Sequence, residues 1–234
     1  MAHFSVLFED DEILLINKPF GTAVQGGKGI AHPLDKELPL QTGYPVYLVH
    51  RLDKDTSGIL VVAKNSAAAA KWTKLIGEKN AVKEYYAVCL GMPCVNGTPC
   101  RKGKLVSDVE VHGKKLNAEL YFNVEKQFSV TAEYECEGKK ISETVGLFLI
   151  HVTLGTGRLH QIRIQLSKAG APVACDDQHG NFKVNKILRK AGIKKLQLCA
   201  KRLTIPLKGK AVTFEIEFPP HFAASFKQSD SNQA

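Results

Sequence analysis

The chain has 234 residues, of which 44% are hydrophobic and 24% are charged, values typical of a soluble globular protein. A chain of this length buries enough surface on folding to need no disulfide or metal ion. No apolar run approaches the roughly 20 residues that span a bilayer, and residues 1–10 carry two acids without Lys or Arg. We therefore expect neither a membrane segment nor a signal or transit peptide.

The six cysteines are scattered along the chain without a Cys-x-x-Cys pair or a His pair at zinc spacing. This pattern favours reduced thiols over a structural zinc site. Reduced thiols are typical of a reducing compartment, so we expect a cytoplasmic protein.

Positive charge is concentrated in one part of the chain. The chain as a whole carries a net charge of +9, with 32 Lys and Arg against 23 Asp and Glu. Residues 158–210 contain thirteen Lys and Arg against two acids, a net charge of +11. Such a stretch indicates either a surface for nucleic-acid phosphates or a solvated lysine-rich face, and charge alone does not separate the two interpretations.

The alternation of apolar and polar residues predicts many short strands and a few helices. In chain order, the pattern predicts strands at 4–8, 13–16, 46–49 and 59–63, a helix at 67–76 capped by Asn65 or Ser66, strands at 85–90, 105–111, 118–124, 129–134 and 145–154, helices at 159–168 and 184–191, and strands at 196–205 and 211–218. This order predicts an α+β fold with a mixed, mainly antiparallel sheet and flanking helices. We expect one domain at residues 1–225 and a polar C-terminal tail at 226–234.

A glycine-rich loop lies at residues 21–29, where a nucleotide-binding loop could be suspected. Gly26 is followed by Gly27, and Lys28 by Gly29 instead of Ser or Thr, so the phosphate-loop pattern fails. We therefore predict that no nucleotide cofactor binds. The loop is either a flexible segment that approaches a substrate or a plain surface loop.

The densest cluster of reactive side chains is the polar loop at residues 50–58, between two apolar strand candidates. Strands on both sides can position a catalytic group at their edge. A carboxylate beside Arg51 would stay ionised and act as a nucleophile or base. If the backbone is extended, Asp53 and Asp55 share a face, which would suit a retaining glycosidase. A charged turn without chemistry is the simpler interpretation of the same residues.

The same loop, His50-Arg51-Leu52-Asp53-x-x-Thr56-Ser57-Gly58, resembles the signature of the RluA-type pseudouridine synthases. Four further stretches agree in order and spacing: Ile16-Asn17-Lys18-Pro19-x-Gly21, Lys83-x-Tyr85-x-Ala87, Gly157-Arg158-x-His160-Gln161-Ile162-Arg163, and residues 172–180. The resemblance covers nearly the whole chain. It departs from the family at Cys175-Asp176-x-x-His179-Gly180, where Gly-Asp-x-x-Tyr-Gly is frequent.

The resemblance implies a pseudouridine synthase fold with a central catalytic cleft, and an enzyme that isomerises uridines in RNA without a cofactor or metal. The glycine-rich loop and the Asp176-Asp177 stretch are most similar to the subgroup that modifies large-subunit (23S) ribosomal RNA. We therefore expect ribosomal RNA as the partner, with transfer RNA as the alternative, and a monomer. Many members of that subgroup carry a small N-terminal RNA-binding domain, which we expect this chain to lack.

The resemblance also implies roles for individual residues. Asp53 matches the catalytic aspartate, and Tyr85 matches the tyrosine that packs on the target uracil and serves as a late general base. Arg163 matches the basic residue that pairs with the catalytic carboxylate, and Arg51 the arginine that fills the space left by the flipped base. Residues expected to contact the RNA elsewhere are Arg158, His160, Lys194 and Lys195. A non-catalytic RNA-binding protein is the alternative from a different functional class.

Overall fold

The computed structural model describes residues 3–78, 80–111 and 113–226. The chain divides into two compact units, one formed by Met1–Glu84 and Cys199–Glu217 and the other by Tyr85–Leu198 and Phe218–Ala234. We call them the first and the second unit. Apart from Phe226, the predicted tail at 226–234 lies outside the described residues, and the single domain at 1–225 stays a prediction.

The strands are β1 (Ser5–Glu9), β2 (Ile13–Lys18), β3 (Tyr47–Leu48), β4 (Ser57–Ala63), β5 (Val82–Cys89), β6 (Cys94–Val95), β7 (Thr98–Pro99), β8 (Lys102–Val111), β9 (Lys114–Cys136), β10 (Lys139–Leu154), β11 (Leu198–Leu207) and β12 (Lys210–Glu215). The helices are α1 (Leu34–Thr42), α2 (Ser66–Gly77), α3 (Gln161–Lys168), α4 (Phe182–Lys190) and α5 (Ala223–Phe226), with a 3₁₀ turn at Pro220–Phe222.

In the first unit the strands follow the order β1-β2-β4-β11, with β12 beside β11 and β3 beside β4. The pair β4–β11 is parallel, and the pairs β1–β2, β2–β4, β3–β4 and β11–β12 are antiparallel. Strand β4 is buried along its full length, because β2 and β11 cover its edges and helix α2 packs against it. The fully buried Trp72 of α2 contributes most to this packing by volume.

In the second unit the strands follow the order β5-β10-β9-β8, and the pairs β10–β9 and β9–β8 are antiparallel. Helix α3 contacts β8, while α4 contacts β9 and β10. The segment after β12 returns to this unit, where the ring of Phe218 stacks on Phe222 at 5.4 Å and Phe226 lies 5.8 Å from Phe128. These rings form an aromatic cluster that fixes the end of the described chain.

The α+β class with a mixed, mainly antiparallel sheet and flanking helices is confirmed. The Asn65 cap of α2 is confirmed as well, since its Oδ1 accepts a hydrogen bond from the Ala68 N–H at 2.8 Å. None of the described helices combines the length and apolar character needed to cross a bilayer. All six cysteines are free thiols.

One prediction about the strands is wrong, and helix α1 is missing from the predicted elements. The strands expected at 118–124 and 129–134 form one continuous strand, β9, in which Glu125 is an extra residue at a bulge. The residues around Glu125 in the sequence are mostly polar, so this part of β9 resembles a turn when only the sequence is considered. Helix α1 was not predicted because Pro39 lies inside it, and proline removes a helix donor. Complete burial of Leu34 and Leu38, one turn apart, explains why the helix forms nevertheless.

Gly58 in β4 should not tolerate a side chain. Its φ is +122°, and an added Cβ would overlap the backbone carbonyl of Ala200 in β11. We expect Gly58→Ala to destabilise the protein by more than about 3 kcal/mol, measured by urea unfolding. Gly77→Ala is the control, since nothing lies within 4 Å of its added Cβ, and it should be neutral or stabilise by about 0.4–1 kcal/mol. If Gly58→Ala and Gly77→Ala changed the free energy of unfolding equally, the close contact between Gly58 and Ala200 would be contradicted.

Candidate active site

The first unit presents the polar loop at residues 50–56, between β3 and β4. His50 connects the loop to the sheet, because its Nε2 accepts a hydrogen bond from the Val61 N–H at 3.0 Å. Desolvation lowers the pKa of His50 to about 3, and the charge of Lys83 acts in the same direction. A neutral ring that accepts this bond is a structural contact, so we assign His50 no role in proton transfer.

Asp53 is half-buried in this loop, while Arg51 and Asp55 are exposed. The Thr56 N–H donates to the Asp53 carbonyl at 3.1 Å, so residues 53–56 form a turn. The glycosidase hypothesis required an extended backbone that would place Asp53 and Asp55 on one face. Because the backbone turns here, the structure does not support the paired carboxylates of a glycosidase. Asp53 is the half-buried carboxylate of the loop.

Lys18, at the end of β2, is a buried residue that holds the loop at residues 50–56 in place. Its side chain is fully buried, and Nζ donates to the carbonyls of Pro19 at 3.0 Å, Thr22 at 2.9 Å and Lys54 at 3.0 Å. The Lys54 carbonyl also accepts the Gly21 N–H at 3.0 Å. One ammonium group therefore joins the start of the glycine-rich loop to the loop of Asp53.

Burial lowers the pKa of Lys18 to about 7, while the charges of Asp55 and Asp53 act to raise it. The three carbonyl acceptors use all three N–H donors of the ammonium form. Sequence reasoning placed Lys18 in a motif but gave it no role. A lysine at the end of an otherwise apolar strand was the signal that could have revealed it.

In the second unit, Arg163 of α3 forms a buried, bidentate ion pair with Asp176. Arg163 Nε donates to Oδ2 at 2.8 Å and Nη2 donates to Oδ1 at 2.7 Å, with side chains that are 7% and 0% exposed. Oδ1 also accepts the backbone N–H groups of Gln178 at 2.9 Å and His179 at 3.0 Å. Burial acts to raise the pKa of Asp176, but these donors outweigh it and hold the pKa below its ordinary value of 3.8.

The position of Asp176 is fixed by Asn185, a fully buried residue of α4. Asn185 Oδ1 accepts the Cys175 N–H at 3.0 Å, and its Nδ2 donates to the Asp176 carbonyl at 2.9 Å. Cys175 is left-handed, with φ 57°, and a Cβ at Gly180 would overlap the Asp176 carbonyl. The loop at 175–180 thus has little freedom, and it presents Asp176 to Arg163.

The first turn of α3 is fixed by Gln161 and by a histidine pair. Gln161 Oε1 accepts the Arg158 N–H at 3.0 Å, and its Nε2 donates to the Glu119 carbonyl at 2.9 Å. His160 is left-handed, with φ 50°, and its Nδ1 lies 3.0 Å from Nε2 of His179. His179 is the residue that departs from the tyrosine frequent in the family, and it forms a direct contact with the predicted site residue His160.

The predicted site residues are divided between the units. Arg51 and Asp53 belong to the first unit, and the second unit contains Tyr85, Arg158, His160, Arg163, Lys194 and Lys195. Tyr85 on β5 is 7% exposed, whereas Arg158, Lys194 and Lys195 are exposed. Asp176 and Asn185 were not predicted as site residues. The pairing of Arg163 with Asp53 stays a prediction.

The basic stretch at 158–210 is also divided between the units. Its two acids are paired, Asp176 with Arg163 and Asp177 with Arg189, in the second unit. In the first unit Lys201 and Arg202 both contact Glu215. Within the second unit, residues 182–195 contain six Lys and Arg and no acid. No group of three or more His, Cys, Asp or Glu side chains among the described residues could hold a metal ion.

Comparisons with known proteins find relatives along most of the chain. Residues 12–168 match the family model described as RNA pseudouridylate synthase. The chain is 32% identical over 223 residues to "Ribosomal large subunit pseudouridine synthase C" of Rickettsia felis, covering 94% of this chain and 70% of the relative. It is 33% identical over 225 residues to the protein of that name from Escherichia coli K12, covering 92% and 66%. The chain thus spans about two thirds of the length of these relatives.

The fold is shared with a solved structure, "Human RNA Pseudouridylate Synthase Domain Containing 4", at a TM-score of 0.70 and 22% identity, covering 97% of this chain and 93% of that one. The chain belongs to the RNA pseudouridylate synthase family. The class of enzyme predicted from the sequence, an RNA pseudouridine synthase and hence an isomerase, is thereby confirmed, and so is the similarity to the synthase C group.

The two adjacent acids of the loop at 175–180 offer a direct test of the buried pair. Asp176→Asn leaves Arg163 buried without its counter-charge, and we expect a loss of about 3–5 kcal/mol of stability in urea unfolding at pH 7. Asp177→Asn is the control, because Asp177 is 66% exposed in its pair with Arg189 and should lose less than about 1 kcal/mol. Similar losses in both variants would contradict the assignment.

The same pair predicts a pH dependence. The pKa of Asp176 is lower in the folded than in the unfolded protein, so its contribution is complete above the unfolded value and is lost as the pH falls through the folded value. The wild-type protein should therefore lose this component of stability in acid. The Asp176→Asn variant should lack it, whereas Asp177→Asn should retain it.

Proposed function

We propose that this chain converts uridine to pseudouridine in structured RNA, with large-subunit ribosomal RNA as the substrate. The observation that carries the proposal is the loop at 50–56, in which a half-buried Asp53 is held by the contacts of Lys18 and His50. The relatives named for the ribosomal large subunit support the choice of RNA. Transfer RNA is the alternative substrate.

The chemistry of the isomerisation explains why few catalytic side chains are needed. The bond between N1 of uracil and C1′ of the ribose breaks, the base turns, and C5 forms a bond to C1′. C5 loses its proton and N1 gains one, so nothing is oxidised and no water is consumed. One carboxylate can start the sequence, either by attack on the nucleoside or by removal of a proton from the sugar.

The resemblance supplies the roles that we propose around Asp53. Tyr85 packs on the uracil, and its hydroxyl accepts the C5 proton in the last step. Arg163, whose position Asp176 fixes, pairs with the Asp53 carboxylate and keeps it ionised. Arg51 fills the space that the flipped base leaves in the RNA. The residues proposed to contact the RNA elsewhere are Arg158, His160, Lys194 and Lys195.

Asp53→Asn keeps the size of the side chain and removes its charge. We expect isomerisation to be abolished while RNA affinity stays almost unchanged, because most protein–RNA contacts go to phosphates elsewhere on the surface. Release of tritium from RNA labelled at C5 of uridine measures the reaction, and filter binding measures the affinity. Transcripts of large-subunit ribosomal RNA and of transfer RNA, assayed in parallel, identify the substrate.

Asp55→Asn is the matched control, since it removes an exposed carboxylate from the same turn. It should retain activity. Turnover by Asp53→Asn would remove Asp53 from the catalytic role. Binding of both transcripts by the wild-type protein without any tritium release would favour the non-catalytic RNA-binding alternative.

A further inference from the structure

The outward side of α4 combines an exposed aromatic ring with unpaired positive charge. Phe182, the first residue of the helix, is 56% exposed, and Lys183 and Lys186 beside it are exposed as well. Among the described residues, neither lysine has an acidic partner. We call Phe182, Lys183 and Lys186 the outer face of α4.

The packing of α4 does not account for these residues. The helix packs through its other side, where Asn185 and Leu188 are fully buried, and it contacts β9 and β10. Lys183 lies in the first turn, where a positive charge opposes the helix dipole. Neither the exposed ring nor this lysine is therefore explained by the stability of the helix.

An exposed aromatic ring beside lysines is an arrangement with which proteins bind single-stranded nucleic acid. Bases stack on the ring, and the cations contact the phosphates on either side. Residues 182–195 contain six Lys and Arg and no acid, so the surroundings attract a polyanion. A single exposed phenylalanine is common on protein surfaces; its place within this basic stretch distinguishes Phe182.

We propose that the outer face of α4 binds an unpaired nucleotide of the substrate RNA, with its base stacked on Phe182 and its flanking phosphates on Lys183 and Lys186. This proposal rests on the proposed function, because it takes RNA as the ligand. It adds a substrate preference: a target uridine with an unpaired nucleotide near it in the folded RNA.

The inner side of α4 connects this contact to the site. Asn185 lies between Lys183 and Leu188 in the helix, and its side chain fixes the Cys175 N–H and the Asp176 carbonyl. Asp176 in turn holds Arg163. A nucleotide on the outer face is therefore placed at a constant position relative to Arg163 by a short and rigid path within the second unit.

The test measures binding of a short single-stranded RNA that carries one 2-aminopurine, whose fluorescence is quenched when it stacks. All variants are made in the full chain. Phe182→Ala should weaken binding about tenfold or more and abolish the quenching. Phe182→Trp should retain both, whereas Phe182→Leu, apolar but without a ring face, should behave like Phe182→Ala. Val106→Ala, which truncates another exposed apolar residue of the second unit, should leave binding unchanged.

The charge contribution is measured separately from the dependence of affinity on salt. Lys186→Gln should flatten the slope of log affinity against log salt by about 0.7, the value for one phosphate of a single strand. Equal binding by Phe182→Ala and the wild-type protein, or equal binding by Phe182→Leu and Phe182→Trp, would overturn the proposal. If the Phe182 substitutions weakened binding of a fully paired, blunt-ended RNA duplex as much as binding of the single strand, the proposal would also be overturned.

These outcomes are independent of catalysis. If the wild-type protein released no tritium from any RNA, the proposed function would fail, yet the Phe182 variants would still report whether the outer face of α4 stacks a base. If tritium release were normal and the Phe182 variants bound like the wild type, only the present proposal would fail.

Discussion

The buried ion pair between Arg163 and Asp176 is the interaction on which the arrangement of α3, α4 and the loop at 175–180 depends. Neither charge would be stable in the interior alone, because burial removes the water that solvates it. Asp176 compensates by accepting four hydrogen bonds, two from the guanidinium and two from backbone N–H groups. The loop at 175–180 and helix α4 therefore fold around a fixed carboxylate, and α3 presents a fixed cation.

In the first unit a buried lysine has the corresponding role, and its hydrogen bonds go to backbone carbonyls. Lys18 donates to three carbonyls and so joins the start of the glycine-rich loop to the loop that contains Asp53. In each unit a buried group thus holds a polar loop in place: Lys18 holds the loop of Asp53, and the pair of Arg163 and Asp176 holds the loop at 175–180. Such rigidity suits an isomerisation in which the positions of a few side chains supply most of the catalysis.

The sequence predicted the features that depend on the local pattern of apolar and polar residues. Apolar strands on both sides of residues 50–58 identified the loop of Asp53, and Asn65 marked the start of α2. It did not predict α1, because Pro39 opposes a helix and only the burial of Leu34 and Leu38 compensates. It also left Asp176 without a role, since its partner lies thirteen residues away on another element and only the folded chain brings the two together.

The proposed modification of uridines in RNA through Asp53 can be tested directly in cells. Pseudouridine can be mapped across ribosomal and transfer RNA from cells that lack the gene, complemented with either the wild-type chain or Asp53→Asn. We expect that defined positions in large-subunit ribosomal RNA lose pseudouridine in the deletion and regain it only with the wild-type chain. Identical maps in all strains, or restoration by Asp53→Asn, would contradict it.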